Sequence, residues 1–297
     1  MHDPETNPST DTSPEPLSDS SLPNLIVIGA AKCGTTSLHY YLNLHPDIQM
    51  AREKELHFFS KEERWTRGLE WYRRHFDPGS PVRGEASVTY TAFPFRPGVP
   101  ARMAQVVPDA RLVYLVRDPV ERIVSAYVHR HSEREENRSL AAAVEQLEDN
   151  DLVERSRYFF QLEQYRPHFP DAQILVISSE ELRRDRRAVL SKIFGFVGVD
   201  PAFATERMGA VKHESRHKRR KSPFGVFLGR LAESAPARVV SPDTRRAIGR
   251  WVYKPFSAPL HRPVMDDRAR TRLVNYLAPD VAKLREYTGL PFSEWTV

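Results

Sequence analysis

The 297-residue sequence predicts an α/β fold, a single domain in which a central parallel β-sheet is flanked by helices. Three short segments, 25–28, 111–116 and 173–178, each contain an unbroken apolar run that is typical of a strand buried on both faces. A segment with helical spacing of apolar residues follows each run. Strands that alternate with helices pair in parallel, because each helix returns the chain to the same edge of the sheet.

Specific residues mark the boundaries of several elements. Pro46 ends the first helix, since proline cannot continue one. Asp118 is an N-cap with Pro119 at the first helical position, and Gly289 ends the last helix. The other predicted elements are an extended piece at 48–50, an aromatic helix over 65–76, a strand with a polar end over 84–90, helices over 100–107, 158–169, 179–197 and 266–288, a charged helical insertion over 132–157 and a basic loop over 212–221.

The stretch 24–37, NLIVIGAAKCGTTS, has the form of a phosphate-binding turn. Its strand ends at Gly29, a loop with Lys32 and Gly34 follows, and the hydroxyl residues 35–37 open the next helix. The first amide groups of a helix have no internal acceptor and carry partial positive charge, so an anion binds there readily. The alternative is an ordinary strand-to-helix turn with a solvated lysine.

The spacing of this turn departs from the nucleoside-triphosphatase pattern G-x-x-x-x-G-K-[ST]. Gly29 and Gly34 have the required separation, but Thr35 stands in the place of the lysine, which lies inside the loop at Lys32. Cys33 is the only cysteine, which excludes an intramolecular disulfide and indicates a reducing compartment. We interpret Cys33 as a small residue that fits the loop and not as a nucleophile.

Composition separates a tail from a basic body. Residues 1–22 are rich in Pro, Ser, Thr, Asp and Glu and are predicted to be a disordered acidic tail, which leaves 23–297 as the domain. Without the five acidic residues of this tail, the formal net charge rises from +5 to +10, which favours anionic ligands. No apolar run approaches the roughly 20 residues that span a bilayer, and no secretory signal is recognisable. We therefore expect a cytoplasmic protein without a stable membrane anchor.

A second strand end carries a cation and a hydroxyl group. Arg117 follows the strand 111–116 directly, and Ser125 lies about two helical turns further on. A guanidinium group can form two parallel hydrogen bonds to a phosphate, and ligand sites of parallel sheets lie at such strand ends. The alternative for Arg117 is a salt bridge to a carboxylate of the following helix.

Three segments occur in an order that resembles a known family. They read AAKCGTTSL followed by LHPDI, then REKELHFF, then VYLVRDPVERIVSAY. The series is similar to the sulfotransferases that use 3′-phosphoadenosine 5′-phosphosulfate (PAPS), and in particular to their glycosaminoglycan branch. The resemblance covers about 24–127 and resumes at 213–216, and the spacing from Leu284 through Gly289 to Trp295 is similar to that of bacterial members. It implies a P-loop NTPase-like sulfotransferase fold.

The resemblance also implies a role for each matching residue. The cofactor-binding residues would be Lys32, Cys33, Gly34, Thr35, Thr36 and Ser37 for the 5′-phosphosulfate, Arg117 and Ser125 for the 3′-phosphate, and Arg216 and Lys218 in a loop that closes over the nucleotide. The catalytic residues would be Glu55 as the base, Lys32 at the leaving oxygen, and His57 beside the acceptor. Two departures stand out, because Ala86 replaces a lysine of the glycosaminoglycan enzymes and Arg216-His217-Lys218 replaces their K-G-R loop.

The chemistry agrees with these roles. Sulfonate transfer needs mainly positioning and electrostatic stabilisation, and Lys32 can supply the charge that a metal would otherwise provide. No metal is therefore expected, and no His/Cys/Asp cluster has ligand spacing. Glu55 can accept the proton of an attacking hydroxyl group, although a solvated position within its charged run is the alternative. The expected products are adenosine 3′,5′-bisphosphate (PAP) and a sulfated acceptor.

Two other classes of function remain open. A kinase that phosphorylates a small molecule would share the fold, but it should have a lysine directly after Gly34 and an aspartate at position 117. A non-catalytic binder of acidic glycan or nucleic acid would explain the basic residues 212–221 but not the phosphate-binding turn. We expect an acceptor with a hydroxyl group, which can be a glycan, a lipid or a small-molecule natural product, and no nucleic acid.

Overall fold

The computed structural model of the protein describes residues 21–209, 219–221, 257–259 and 263–297. One sheet contains the strands β1 (Leu25–Gly29), β2 (Ile48–Met50), β3 (Val82–Ala86), β4 (Arg111–Val116) and β5 (Ile174–Ser178). All of them are parallel and lie in the order β2-β3-β1-β4-β5. The predicted parallel sheet is confirmed.

β1 lies at the centre of this sheet and every one of its residues is buried. Leu25 pairs with Gly84 of β3 on one side and with Arg111 of β4 on the other. The carboxyl ends of β3, β1 and β4 therefore reach the same edge of the sheet, where open α/β sheets bind their ligands.

Helices alternate with the strands along the chain, as the sequence predicts. The α-helices of the described residues are α1 (Thr35–Leu42), α2 (Glu62–Trp65), α3 (Gly68–Arg73), α4 (Val99–Val106), α5 (Pro119–Glu133), α6 (Leu140–Ala143), α7 (Asp151–Glu154), α8 (Tyr158–Glu163), α9 (Ser179–Arg184), α10 (Arg186–Val197) and α11 (Asp267–Thr288). Asp118 caps α5 by accepting a hydrogen bond from the Glu121 amide, and Gly289 ends α11 in a left-handed conformation. Both predicted helix boundaries are confirmed.

Several predicted helices are shorter or broken. The segment 132–157 is not a helical insertion, because α5 ends at Glu133 and only the single turns α6 and α7 follow. Ser139 and Asn150 cap these turns by accepting backbone amides. The helix predicted over 179–197 is divided at Asp185, whose side chain caps α10 through the Ala188 amide.

Three further boundaries differ from the prediction. The aromatic helix over 65–76 is two short helices, α2 and α3, and that over 158–169 ends after Glu163. The strand predicted over 84–90 spans Val82–Ala86, so Ser87 and Thr89 lie beyond its carboxyl end.

Two hydrophobic clusters form the core. The larger surrounds the sheet, and the smaller lies between α5, α6, α7 and α11. Val297 packs against both clusters, so the residues after α11 lie at their junction.

Two parts of the sequence prediction concern residues at the margins of the description. The predicted tail lies outside the described residues up to position 20. Of the predicted basic loop, 212–218 lies outside them, whereas Arg219–Lys221 is a strand, β6, that pairs antiparallel with β7 (Ser257–Pro259) and lies beside α5. Among the helices that the structure describes, none is both long and apolar enough to cross a membrane.

Candidate active site

The loop between β1 and α1 has the geometry of an anion-binding turn. Gly34 precedes the helix at φ 104°, a left-handed conformation that glycine adopts readily, and no side chain caps the helix there. The Ser37 and Leu38 amides both donate to the Gly34 carbonyl oxygen. Within the described contacts, the Thr35 and Thr36 amides have no acceptor, so they are the donors that an anion would engage.

Gly29 lets the loop leave the sheet beside a neighbouring segment. A Cβ atom at Gly29 would lie 2.1 Å from Thr91 Oγ1, so a larger residue does not fit. The Thr91 hydroxyl donates to the Ile28 carbonyl oxygen at 3.2 Å. The Thr91 side chain, from the loop that follows β3, thus fixes the end of β1.

The side chains of the loop divide between core and surface. Cys33 and Thr35 are buried, whereas Thr36 is exposed and Lys32 and Ser37 are half-buried. Burial raises the pKa of the Cys33 thiol to about 11, so Cys33 is a poor nucleophile, in line with its interpretation as a packing residue. Cys33 and Thr35 can meet a ligand only through their backbone.

Arg117 stands at the end of β4, the neighbour of β1. Its guanidinium group forms an ion pair with Glu121, with a nitrogen–oxygen distance of 3.0 Å. The salt bridge that the sequence left open as an alternative is therefore present. The Nε atom of Arg117 is buried and has no hydrogen-bond partner among the described residues, which leaves a donor for a ligand. Ser125 lies half-buried further along α5.

The segment with Glu55 and His57 is held against the carboxyl end of β3. The Glu55 amide donates to the Ala86 carbonyl oxygen at 3.1 Å, and the His57 amide donates to Ser87 Oγ at 3.0 Å. Both Glu55 (φ 69°) and His57 (φ 54°) have left-handed backbones. Such conformations are unfavourable for non-glycine residues and persist only where the surroundings hold them.

Glu55 lies between two basic side chains. Its Oε1 is 2.9 Å from Lys54 Nζ, and its Oε2 is 3.5 Å from His57 Nε2. The Glu55 side chain remains 32% exposed, so an acceptor can reach it. The flanking Phe58 and Phe59 are fully buried, as the sequence predicts.

His57 is held in its neutral form. Burial lowers the pKa of its imidazole to about 4, against the opposing effect of the Glu55 carboxylate. Its Nδ1 is 2.8 Å from Thr89 Oγ1, which is in turn 2.6 Å from Ser60 Oγ. A neutral imidazole beside Glu55 can hydrogen-bond a hydroxyl group and adds no positive charge next to the carboxylate.

Sequence reasoning missed Glu85, a fully buried carboxylate below this segment. It accepts hydrogen bonds from Tyr72 (2.5 Å), Tyr90 (2.7 Å) and Ser87 (2.8 Å). Burial raises the pKa of Glu85, although these three donors oppose the shift. Because Ser87 also holds His57, the buried carboxylate supports the whole segment. The available signal is a glutamate between Gly84 and Ala86, at the buried carboxyl end of β3.

Arg122 is the second residue that was missed. It is 2% exposed and donates to the carbonyl oxygens of Ala31 (3.1 Å) and Leu152 (2.8 Å). It therefore ties the loop between β1 and α1 to α7. The signal is an arginine on the apolar face of a predicted helix, between Val120 and Ile123.

The structure brings together most of the predicted site. The ends of β3, β1 and β4 carry the Glu55–His57 segment, the Lys32–Ser37 loop and Arg117, respectively. Arg216 and Lys218 lie outside the described residues, although the strand β6 that follows them lies beside α5. No group of three or more His, Cys, Asp or Glu side chains within the described ranges is arranged to hold a metal ion.

Comparison with known proteins agrees with this arrangement. The family model described as "Sulfotransferase domain" matches residues 22–226. Heparan sulfate glucosamine 3-O-sulfotransferase 3B1 of Mus musculus is 31% identical over 210 residues, which are 66% of this chain and 53% of the mouse protein. Bifunctional heparan sulfate N-deacetylase/N-sulfotransferase 1 of Caenorhabditis elegans is 28% identical over 188 residues, 58% of this chain and 22% of the worm protein.

A solved structure extends the similarity to nearly the whole chain. The crystal structure of a sulfotransferase from Alicyclobacillus acidocaldarius is 28% identical, with a TM-score of 0.65, over 93% of this chain and 99% of the bacterial one. By contrast, the chain spans about half or less of the length of the two curated relatives.

Proposed function

The chain belongs to the sulfotransferase family, and on that premise we propose that it transfers a sulfonate group from PAPS to a hydroxyl group of an acceptor. One observation carries the proposal: an anion-binding turn, a buried arginine donor and a partly exposed carboxylate stand at the ends of three adjacent strands. This arrangement would supply two phosphate sites and a base at one edge of the sheet.

The residues present fit the nucleotide. The Thr35 and Thr36 amides and the Lys32 ammonium group would hold the 5′-phosphosulfate, and the unsatisfied Nε of Arg117 with the Ser125 hydroxyl would hold the 3′-phosphate. When bound, PAPS supplies an activated sulfonate and a leaving phosphate. Lys32 would stabilise the charge that develops on the leaving oxygen.

Glu55 would accept the proton of the acceptor hydroxyl group. Its carboxylate lies 2.9 Å from Lys54 Nζ and stays partly exposed, so an acceptor hydroxyl group can approach it. Neutral His57, fixed by Thr89, would orient the hydroxyl group beside Glu55. Buried Phe58 and Phe59 would limit movement of the segment during the transfer.

The acceptor class follows from the relatives only as a proposal. Two curated relatives carry heparan sulfate in their names, which supports a glycan acceptor, but Ala86 is buried where their branch has a lysine. We therefore propose a glycan or small-molecule acceptor whose contacts on this side differ from those of the glycosaminoglycan enzymes. A cytoplasmic location also remains a prediction, which cell fractionation would test.

A thermal-shift screen separates the candidate functions. PAP should raise the melting temperature of the purified protein by several degrees at 100-fold excess over its Kd, since a ligand stabilises the state that binds it by about 2.7 kcal/mol there. Stabilisation by ATP with magnesium, but not by PAP, would favour the kinase. Stabilisation by heparin alone would favour a glycan binder. If PAP binds, sulfonate transfer should also survive EDTA, because Lys32 supplies the charge.

A further inference from the structure

The residues after α11 form an ordered segment, 292–297, that packs against the core. The rings of Phe292 and Trp295 are stacked at 4.2 Å between centroids, and both are largely buried. Arg285 fixes the backbone by donating to the carbonyl oxygens of Pro291 (2.9 Å) and Val297 (2.7 Å). These contacts hold the 292–297 segment independently of any ligand.

Two donors of this segment reach the end of β4. The Thr296 amide donates to Asp118 Oδ2 at 2.5 Å, and the Trp295 indole donates to Glu180 Oε2 at 3.2 Å. Glu180 Oε1 in turn accepts the Asp118 amide at 3.4 Å. The 292–297 segment therefore holds Asp118 directly through Thr296, and indirectly through Trp295 and Glu180.

Asp118 needs both of its carboxylate partners. It is 3% exposed, its Oδ1 accepts the Glu121 amide that begins α5, and its Oδ2 accepts the Thr296 amide. A buried carboxylate oxygen without a donor is costly, so loss of the Thr296 amide would shift Asp118 or the turn that contains it. Arg117 is the preceding residue, so a shift of this turn would move its guanidinium group.

We propose that the 292–297 segment is a positioning element that aims Arg117 at the 3′-phosphate and thereby sets the preference for nucleotides that carry one. This inference rests on the proposed function, because it assumes that the nucleotide lies at the ends of β1 and β4. Thr296 and Trp295 act through Asp118 and do not touch the nucleotide. A displaced guanidinium group loses the hydrogen-bond geometry that its contact with the 3′-phosphate requires.

The test compares nucleotides with and without the 3′-phosphate. Thr296→Pro removes the amide donor, and Thr296→Ala is the matched control that keeps it. Calorimetry should show PAP binding weakened about tenfold in Thr296→Pro, the scale of one lost hydrogen bond to a charged group, with adenosine 5′-phosphate within about twofold of wild type. Thr296→Ala should bind both nucleotides as wild type does.

A second variant covers the case in which proline prevents folding. Trp295→Phe keeps an aromatic ring against Phe292 but lacks the indole donor to Glu180, so the preference for PAP over adenosine 5′-phosphate should fall about threefold. Equal weakening of both nucleotides, or an unchanged preference in each folded variant, would overturn the inference. Failure of the wild-type protein to bind PAP would instead overturn the proposed function.

Discussion

Two sides of the candidate site are built in different ways. The cofactor side, which comprises the Lys32–Ser37 loop and Arg117, is formed by helix starts at the ends of β1 and β4. The proposed acceptor side, residues 54–60, contains two left-handed non-glycine residues, Glu55 and His57, whose amides donate to the Ala86 carbonyl oxygen and to Ser87 Oγ.

This difference indicates how each side should respond to substitution. On the proposed cofactor side, backbone amides and separate side chains each supply a donor, so a single side-chain change removes one contact and leaves the rest. On the acceptor side, the geometry depends on a buried polar network, in which each member supports the others. Changes there should affect turnover or stability more than nucleotide binding.

The largest expected effect is on turnover and concerns Glu55. Glu55→Gln keeps the shape of the side chain but cannot take a proton, so turnover should fall about 10²- to 10⁴-fold, the usual scale for loss of a general base. PAP affinity should change less than about twofold, because Glu55 belongs to the acceptor side. Steady-state kinetics and calorimetry on the same preparation measure both quantities.

Glu53 provides the matched control in the same charged run. It is 50% exposed and pairs with Arg64 (3.4 Å) and His75 (3.7 Å), and it makes no contact with Glu55 or His57 among the ion pairs of the described residues. Glu53→Gln should cost little. Equal losses in the two variants would mean that residues 52–57 act as a diffuse charged surface, and a large loss at Glu53 alone would identify a different base.

The next largest expected effect is on PAP affinity and concerns Arg117. Arg117→Ala should weaken PAP binding by roughly 2–4 kcal/mol, since a charge-assisted contact is lost from a largely buried position. Arg166, which pairs with Asp171 at 3.1 Å just before β5 begins, is the control. Arg166→Ala should leave the affinity within about twofold of wild type. Unchanged affinity in Arg117→Ala would remove Arg117 from the 3′-phosphate site.

Local signals made the cofactor side predictable from sequence. The apolar run of β1, the glycine before α1 and the Asp118-Pro119 helix start each act within a few residues, and all three are present. Arg122 was missed because its partners, Ala31 and Leu152, are distant in sequence. The spacing of apolar residues along the sequence does not reveal which distant residues a side chain will contact.

The parts that sequence reasoning did not predict depend on tertiary context. The charged segment 132–157 has good helix-forming composition, but isolated helices gain most of their stability from packing an apolar face. Within this segment Ser139 and Asn150 act as N-caps, so two separate helical turns begin there in place of one continuous helix. Likewise, the network around Glu85 of β3 joins Tyr72 of α3 to Ser87 and Tyr90, which follow β3. Only the fold brings α3 to the end of β3.

A smaller effect, on stability, concerns Glu85. Glu85→Gln places an amide group among donors that require an acceptor, so the free energy of unfolding should fall by about 1–3 kcal/mol. Glu70→Gln is the control, because Glu70 is 74% exposed and should change stability by less than about 0.5 kcal/mol. Urea denaturation measures both. Stability equal to that of wild type in Glu85→Gln would mean that the network is not a support of the acceptor side.

The smallest effect is a pH dependence that belongs to the acceptor side. Burial lowers the pKa of His57 to about 4 in the folded protein, whereas the unfolded chain has the ordinary value near 6.5. Its contribution to stability is therefore fully present above pH 6.5 and is lost as the pH falls through about 4. His57→Asn removes this titration. The difference in unfolding free energy between wild type and the variant should grow by roughly 1–2 kcal/mol from pH 4 to pH 7, after allowance for partial exposure.

Using this difference isolates His57 from Asp280, which titrates in the opposite sense. Burial raises the pKa of Asp280 to about 6, so its contribution is present below the unfolded value of 3.8 and is lost as the pH rises through 6. Both wild type and His57→Asn retain Asp280, so its effect cancels. Arg117→Ala, the cofactor-side variant, should run parallel to wild type, because an arginine stays charged throughout this range. Parallel curves for His57→Asn as well would mean that the pKa of His57 is the same in the folded and unfolded protein, so burial would not favour its neutral form.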